Sequence, residues 1–439
     1  MSKFFLTTFG CRCNQADSAE MRARLCGSAL QESHDHHDAD LIVVNSCTVT
    51  QRADQQVRQT VRRLHRENPG AKLIVTGCYA QRDPEALAAI PGVSLVLGNG
   101  NRGRVAEVWK DAPEAHAKIV RSPLDAVRDY LVPGPSNLGG KTRPFLKLHD
   151  GCDARCSYCI VPSVRGPGRS ANPEDLLAQV RTLVAEGYQE IVLTGVHLGT
   201  YGRKLPGRTQ LTDLLRRILE IPELGRLRLS SIEPMRFDRD IVKLALEHPA
   251  FARHFHIPLQ SGSDRILRLM RRPYKAAQFL HLLRYIQANL PNVGLGTDVL
   301  AGFPGETDGD FEATCDLIRE SPLTYLHVFP FSAREGTDAF SMPGKVSPGV
   351  LRERCETLRR LSLAKNLEFR SRFLGQCLQA ISLAKEEAMG ESVALTENYI
   401  HARIAGTRVP ANRLIHIRID EVRPETTLAS LCASESDKP

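Results

Sequence analysis

The chain has 439 residues, 42% hydrophobic and 25% charged, with a net charge of +8, an ordinary soluble composition on a chain too long for one typical domain. No apolar run reaches bilayer length, and Met1 to Arg12 offers only Phe4-Phe5-Leu6 as a secretory core; a helical membrane protein is excluded and a cytoplasmic one expected. Twelve cysteines in that compartment argue for metal ligation or free buried thiols rather than disulfides.

The positive excess sits in the middle of the chain: Lys+Arg against Asp+Glu is 17 to 15 for residues 1–140, 34 to 26 for 141–374 and 7 to 9 for 375–439. A polyanionic partner fits that excess, as does a merely solvated surface.

From residue 3 to 110, strand-like runs at Phe4 to Thr8, Leu41 to Val44, Leu73 to Val75 and Leu95 to Leu97 alternate with helix-length polar stretches. That pattern predicts an α/β domain with a small parallel sheet. Between Gln51 and Asn68, Val57, Val61 and Leu64 form a buried stripe, with Arg58, Arg62, Arg63 and Arg66 away from it. Cys11, Cys47 and Cys78 each follow a predicted strand. The carboxyl ends of parallel strands lie on one edge, so the three thiols can meet there; three separately buried cysteines would look the same in sequence. Cys13 is close enough to compete with Cys11, and it reads as a core residue together with Cys26, Cys315, Cys355, Cys377 and Cys432. The run 132–140, rich in Pro and Gly, marks a linker.

The sharpest feature follows the apolar run Phe145 to Leu148. Cys152, Cys156 and Cys159 lie within one short loop and can converge on one metal centre. Three thiols under-fill a structural zinc site, whereas an iron cube held by three cysteines keeps one iron open. Zinc completed by a distant cysteine or by His149 remains the alternative. Further strands at Glu190 to Leu193, Arg226 to Ser230, Phe255 to Leu259, Gly294 to Leu300 and Tyr325 to Phe329 predict a β/α barrel of about six strands. The helix after the loop should be capped by Asn172 with Pro173 first. Polar or small residues follow the strands, including His197, Glu233, Gln260 and Asp298, as a charged nucleoside-like cofactor requires. Gly302 to Thr307 lacks the Gly-Lys-Ser/Thr ending of a phosphate loop, and Thr307 with Asp310 reads as a helix cap.

Leu351 to Phe373 reads as a helix with seven basic residues, which face either phosphates or solvent. Residues 375–433 alternate as short strands, predicting a small antiparallel barrel of a kind that often binds oligonucleotides. Four arginines and two histidines without an acid lie between Ile400 and Arg418. Tyr399 is the only aromatic there, so phosphate contact is favoured over base stacking.

Together these residues resemble the methylthiotransferases of the radical S-adenosylmethionine (SAM) superfamily over nearly the whole chain. The resemblance implies an amino-terminal methylthiotransferase domain (1–112), a linker (113–140), a partial (β/α)6 TIM-type barrel (141–374) and a TRAM domain (375–437). Gly195-Val196-His197-Leu198-Gly199, Leu229 to Pro234, His256 to Ser263 and Gly296-Thr297-Asp298 are similar to the branch acting on threonylcarbamoyladenosine beside the tRNA anticodon. Other branches act on isopentenyladenosine or a ribosomal-protein aspartate. The resemblance further implies two 4Fe-4S clusters, one on Cys152, Cys156 and Cys159 and one on Cys11, Cys47 and Cys78. SAM would act twice, as radical source and as methyl donor, with Tyr158, Gly195, His197, Glu233, Gln260 and Asp298 around it. The implied partners are the tRNA anticodon arm and a flavodoxin- or ferredoxin-type electron donor, acting on a monomer; the sulfur source is not implied. Outside this family, a zinc-stabilised RNA-binding module is the competing class.

Overall fold

The computed structural model describes residues 1–113, 116–124, 142–387 and 391–432. Strands β1 (Lys3–Thr8), β2 (Gln31–Glu32), β3 (Leu41–Ser46), β4 (Lys72–Gly77), β5 (Val93–Leu97) and β6 (Lys118–Val120) form one parallel sheet in the order β2-β1-β3-β4-β5-β6. Every residue of β3 is buried because helices cover both faces. Met21 and Leu25 of α1 (Arg12–Gly27) pack on one side, and Val57, Val61 and Leu64 of α2 (Gln51–Glu67) on the other. β6 corrects the linker expected over 113–140: it pairs with β5 and carries the sheet through Val120. The Pro- and Gly-rich run at 132–140 lies outside the described residues.

Strands β7 (Phe145–Asp150), β8 (Arg169–Ser170), β9 (Glu190–Gly195), β10 (Arg226–Leu229), β11 (His254–His256), β12 (Gly294–Ala301) and β13 (Tyr325–Pro330) build the second unit. β8 is a short antiparallel flap on β7. The other six are the six expected strands, parallel in the order β7-β9-β10-β11-β12-β13, and single bridges hold the β10–β11 seam. Asn172 caps the helix Pro173–Ala185 and Thr307 with Asp310 caps Asp308–Glu320, so both expected helix starts are present. The six strands do not close on themselves, and the gap lies between β7 and β13, which do not pair. The first domain fills that gap: α1 runs along β7, and Gln51 N donates to Ser332 Oγ at 3.1 Å just beyond β13.

Strands β14 (Cys377–Glu387), β15 (Glu391–Thr396), β16 (His401–Ile404), β17 (Leu414–Val422) and β18 (Thr427–Leu431) form a closed barrel, antiparallel except where β16 meets β18. It sits under the amino ends of the larger barrel's strands. Arg226 and Arg228 of β10 donate to the carbonyls of Leu395, Thr396 and Glu397.

One expectation fails here, and a second, that the basic helix turns its charges to phosphates or solvent, holds for only some of them. Cys377 and Cys432 are not core thiols but a disulfide joining β14 to the end of β18, with Cys377 at an exposed position. The basic helix Pro348–Ser371 spends several of its charges internally. Arg354 pairs with Glu306 and Asp308, Arg370 donates to Pro424, Thr426 and Thr427, and Lys365 donates to the Arg319 and Ser321 carbonyls. That helix straps the two barrels together.

Candidate metal centres and the lumen between them

Cys11 follows β1, and Cys47 and Cys78 directly follow β3 and β4. The parallel register aligns those strand ends, and two glycines let the turns close. A Cβ on Gly10, at φ +96°, would stand 2.8 Å from Cys47 Sγ; one on Gly77, at φ +95°, would stand 2.4 Å from the Ser46 carbonyl. Asn14, one turn into α1, gathers the thiols: Cys11 Sγ and Cys78 Sγ lie 4.0 and 3.8 Å from its Oδ1. Asn99 Nδ2 donates to Cys78 Sγ at 3.6 Å and to the Val164 carbonyl at 2.7 Å.

Charge around these thiols is uneven. The hydrogen bond from Cys13 pulls Cys11 down to about 6, against burial and with help from Arg165. Burial pushes Cys47 up to about 12 and raises Cys78. Cys13 is buried, as expected of a core cysteine, and its Sγ lies 3.9 Å from Thr194 Oγ1 at the end of β9.

The second triad lies on the loop after β7. Cys152 N donates to the Gly166 carbonyl at 3.0 Å, Cys159 N to the Cys156 carbonyl at 3.1 Å, and Ser157 anchors the loop to the Leu269 and Met270 carbonyls. Arg272 donates to Cys156 Sγ at 3.3 Å and pairs with Glu233. His197 Nδ1 lies 3.7 Å from Cys152 Sγ, and burial, reinforced by Arg272, holds this ring down at about 4. Burial pushes Cys159 up to about 12.

Among the described residues, neither triad brings its three sulfurs within 4.8 Å of one another. Thiolates around a single zinc, bonded at about 2.3 Å, stand only about 3.8 Å apart. In neither triad, then, are all three thiols as close together as a single zinc would draw them.

The first triad approaches the loop of the second at Cys78. Cys78 packs with Ile160 and Val164, immediately past Cys159. A cavity of about 230 Å³ is walled by Val49 and Thr50 from the first domain, by Tyr158 and Cys159, and by Gln260, Asp298 and Phe329. Gln260 holds a left-handed backbone at φ +69°, the kind of local strain that clusters at ligand sites. Of the expected cofactor residues, Tyr158, Gln260 and Asp298 line this cavity, His197 and Glu233 cluster near Cys152 and Cys156, and Gly195 packs against Leu198 and His149.

Below the first triad, Asp17 and Asp150 meet Lys147, Arg102 and Arg165 in a buried network joining α1 to β7. Sequence reading missed Asn14, Asn99, Arg165 and Arg272. Their one signal was position, Asn14 standing three residues after Cys11 and Arg165 six after Cys159.

Comparison with known proteins agrees with this geometry. Residues 3–98 match the uncharacterized protein family UPF0004, and residues 146–318 match the radical SAM superfamily. A threonylcarbamoyladenosine tRNA methylthiotransferase MtaB of Rickettsia prowazekii is 36% identical over 91% of this chain and 90% of its own. A tRNA-2-methylthio-N(6)-dimethylallyladenosine synthase of Thermobifida fusca is 34% identical over 95% of this chain and 84% of its own. Among solved structures, the radical SAM methyltransferase TsrM of Kitasatospora setae superposes with a TM-score of 0.57 at 17% identity, covering 77% of each chain; that likeness is one of fold. With relatives of this identity spanning nearly its full length, the chain belongs to the radical SAM methylthiotransferase family.

Proposed function

We propose that this enzyme methylthiolates the adenine C2 of N6-threonylcarbamoyladenosine at position 37 of tRNA, beside the anticodon. One observation carries the reading: two under-filled cysteine triads from separate domains lie next to each other, with Cys78 packed against Ile160 and Val164 of the segment that follows Cys159. Neither triad alone accounts for that arrangement.

Cys152, Cys156 and Cys159 would hold one 4Fe-4S cluster, and Cys11, Cys47 and Cys78 the other. Bound SAM and the clusters supply the one-electron chemistry, the sulfur and the methyl group that no side chain can provide. The protein's own work is positional. Arg272 offers a cation to Cys156 and fixes Glu233; His197, neutral at working pH, offers a polar edge without adding charge. Tyr158, Gln260 and Asp298 line the cavity where a nucleoside would sit, and the buried Asp17–Arg165–Asp150 network keeps the two domains in register. A flavodoxin- or ferredoxin-type protein would deliver the electron to a monomeric enzyme. No described helix is long and apolar enough to cross a membrane.

A second reading, action on dimethylallyladenosine, is favoured by the similar identity of the Thermobifida fusca relative. Mass spectrometry of tRNA nucleosides from a strain lacking this chain separates them. Loss of the methylthio form of threonylcarbamoyladenosine alone supports the proposal, and loss of the dimethylallyl form alone overturns it. Unchanged tRNA overturns both and leaves a ribosomal-protein target.

A further inference from the structure

Deeper in the lumen lies a wall of hydrogen-bonding groups that the cysteine chemistry does not use. On β13, Tyr325, His327 and Phe329 point inward, in register with Gly296, Asp298 and Leu300 of β12. Asp298 Oδ1 stands 3.2 Å from His256 Nε2 and 3.2 Å from His327 Nδ1, and His256 Nδ1 meets Ser231 Oγ at 2.8 Å. Below them, the Tyr325 hydroxyl lies 2.9 Å from His254 Nε2, and Tyr399 of the small barrel stacks on His254 with ring centroids 4.1 Å apart. Tyr399 thus floors the lumen, a stacking role that its place in the sequence did not suggest. Arg12 closes the gap side, donating to the Tyr399 hydroxyl at 3.0 Å.

This wall is short of negative charge. Among the described residues Asp298 is its one carboxylate; against burial, which would raise it, the facing rings of His256 and His327 hold it well below the usual range. Asp298 thereby engages one nitrogen of His327, and Ser231 one nitrogen of His256. His327 keeps its other nitrogen for the lumen, with a side chain 48% exposed. An imidazole anchored to a carboxylate through one nitrogen presents the other in a fixed direction.

We propose that this wall reads the threonyl arm of the substrate base, with Arg12 and the imidazolium form of His327, both of whose nitrogens donate, taking its carboxylate and Asp298 holding His327 in place. The inference rests on the threonylcarbamoyladenosine reading. The arm carries a carboxylate, a hydroxyl and a urea, all of which these groups can satisfy. A dimethylallyl arm would enter the same space with no polar atom and leave the donors desolvated and unpaired, the situation in which a site discriminates most strongly.

The test is binding, measured anaerobically by fluorescence anisotropy with the cluster-loaded enzyme. Anticodon stem-loops would carry threonylcarbamoyladenosine, its threoninamide analogue, dimethylallyladenosine or plain adenosine. Wild type should prefer the acid over the neutral amide by about 10-fold or more, the scale of one charge-assisted hydrogen bond. His327→Leu should bring that preference below about 3-fold while leaving the plain adenosine stem-loop within about 2-fold of wild type. His327→Asn, whose amide can keep the Asp298 contact but has no distal nitrogen, should do the same and serves if the leucine variant fails to load its clusters. If both variants load and keep the full preference, the wall does not read the arm and the inference falls while the substrate reading stands. If wild type binds the threonyl and dimethylallyl arms equally, the substrate reading itself falls. A preference abolished by a chelator that leaves the clusters intact would mean that a metal on His256, Asp298 and His327 reads the arm, overturning direct contact.

Discussion

Glu190, at the foot of β9, should be the costliest single charge to remove. Its carboxylate accepts from Arg228 Nε at 2.8 Å, Arg226 Nη1 at 3.2 Å and Arg143 Nη1 at 3.1 Å. Burial would raise this acid, but the three cations, Arg228 foremost, hold it at about 2 instead of 4.5. A displacement of that size corresponds to roughly 3 kcal/mol. The gain is lopsided, since burial takes Arg226 down to about 10 despite its pairing; one carboxylate is shared among three guanidinium groups, two of them almost fully buried. Glu190→Gln preserves volume and removes the charge, leaving buried cations uncompensated at a cost of about 3–5 kcal/mol. Because Arg226 and Arg228 also hold the β15 carbonyls, the damage should appear as loosening of the small barrel. Urea unfolding with limited proteolysis after residue 374 reads this, with iron content as the control for the upper site. The folded acid lies below its unfolded value, so its stabilisation is complete above about pH 4.5 and lost as pH falls toward 2. Wild type and variant should therefore differ most above pH 5 and converge below. A variant within about 0.5 kcal/mol of wild type at pH 7, or a difference unchanged at pH 3, would refute the reasoning.

Cys11 and Cys13 should separate cleanly. Cys11→Ala is expected to lose about four of about eight irons, whereas Cys13→Ala, whose thiol lies toward Thr194, should keep them all; iron and sulfide analysis of anaerobic protein decides, and the reverse result reassigns the ligand. The Cys377–Cys432 bond should appear as a linked peptide in a non-reduced digest. With its ends 55 positions apart in sequence, its loss through Cys377→Ser should cost up to about 4 kcal/mol, read as a lowered urea midpoint.

What could be read without coordinates was whatever is encoded locally. Six barrel strands, the caps at Asn172 and Thr307 and the compact Cys152 loop depend on neighbours within a few residues, and each is present. The meeting of Cys11, Cys47 and Cys78 was also inferable, because parallel strands put their carboxyl ends on one edge. Partners far apart in the chain were not. Counting bases on the helix Pro348–Ser371 suggested a phosphate-binding face, yet nothing local says that Arg354 meets Glu306 or that Arg370 reaches Thr427. Cys377 and Cys432 looked like any buried cysteines until β17, paired with β14 on one side and β18 on the other, brought them within bonding reach. Arg226 and Arg228 alternate with leucines as on a half-exposed strand; they are buried because a second barrel covers that end.

The same distinction bears on how specificity is built. Each proposed cluster site draws its three thiols from one domain, so on that assignment either domain alone would carry the residues to load metal. The lumen wall does not have that independence. Arg12 comes from the first domain, His256, Asp298 and His327 from the large barrel, and Tyr399 from the small one. Arg12 reaches Tyr399 across 387 positions of sequence. A mutation that undocks the small barrel removes the floor from this wall without touching a thiol. Weakening the Glu190 knot should therefore lower discrimination between acid and amide stem-loops while iron content stays constant. Loss of iron in step with discrimination would show instead that the domains fold and load as one unit, and that the wall has no separable contribution.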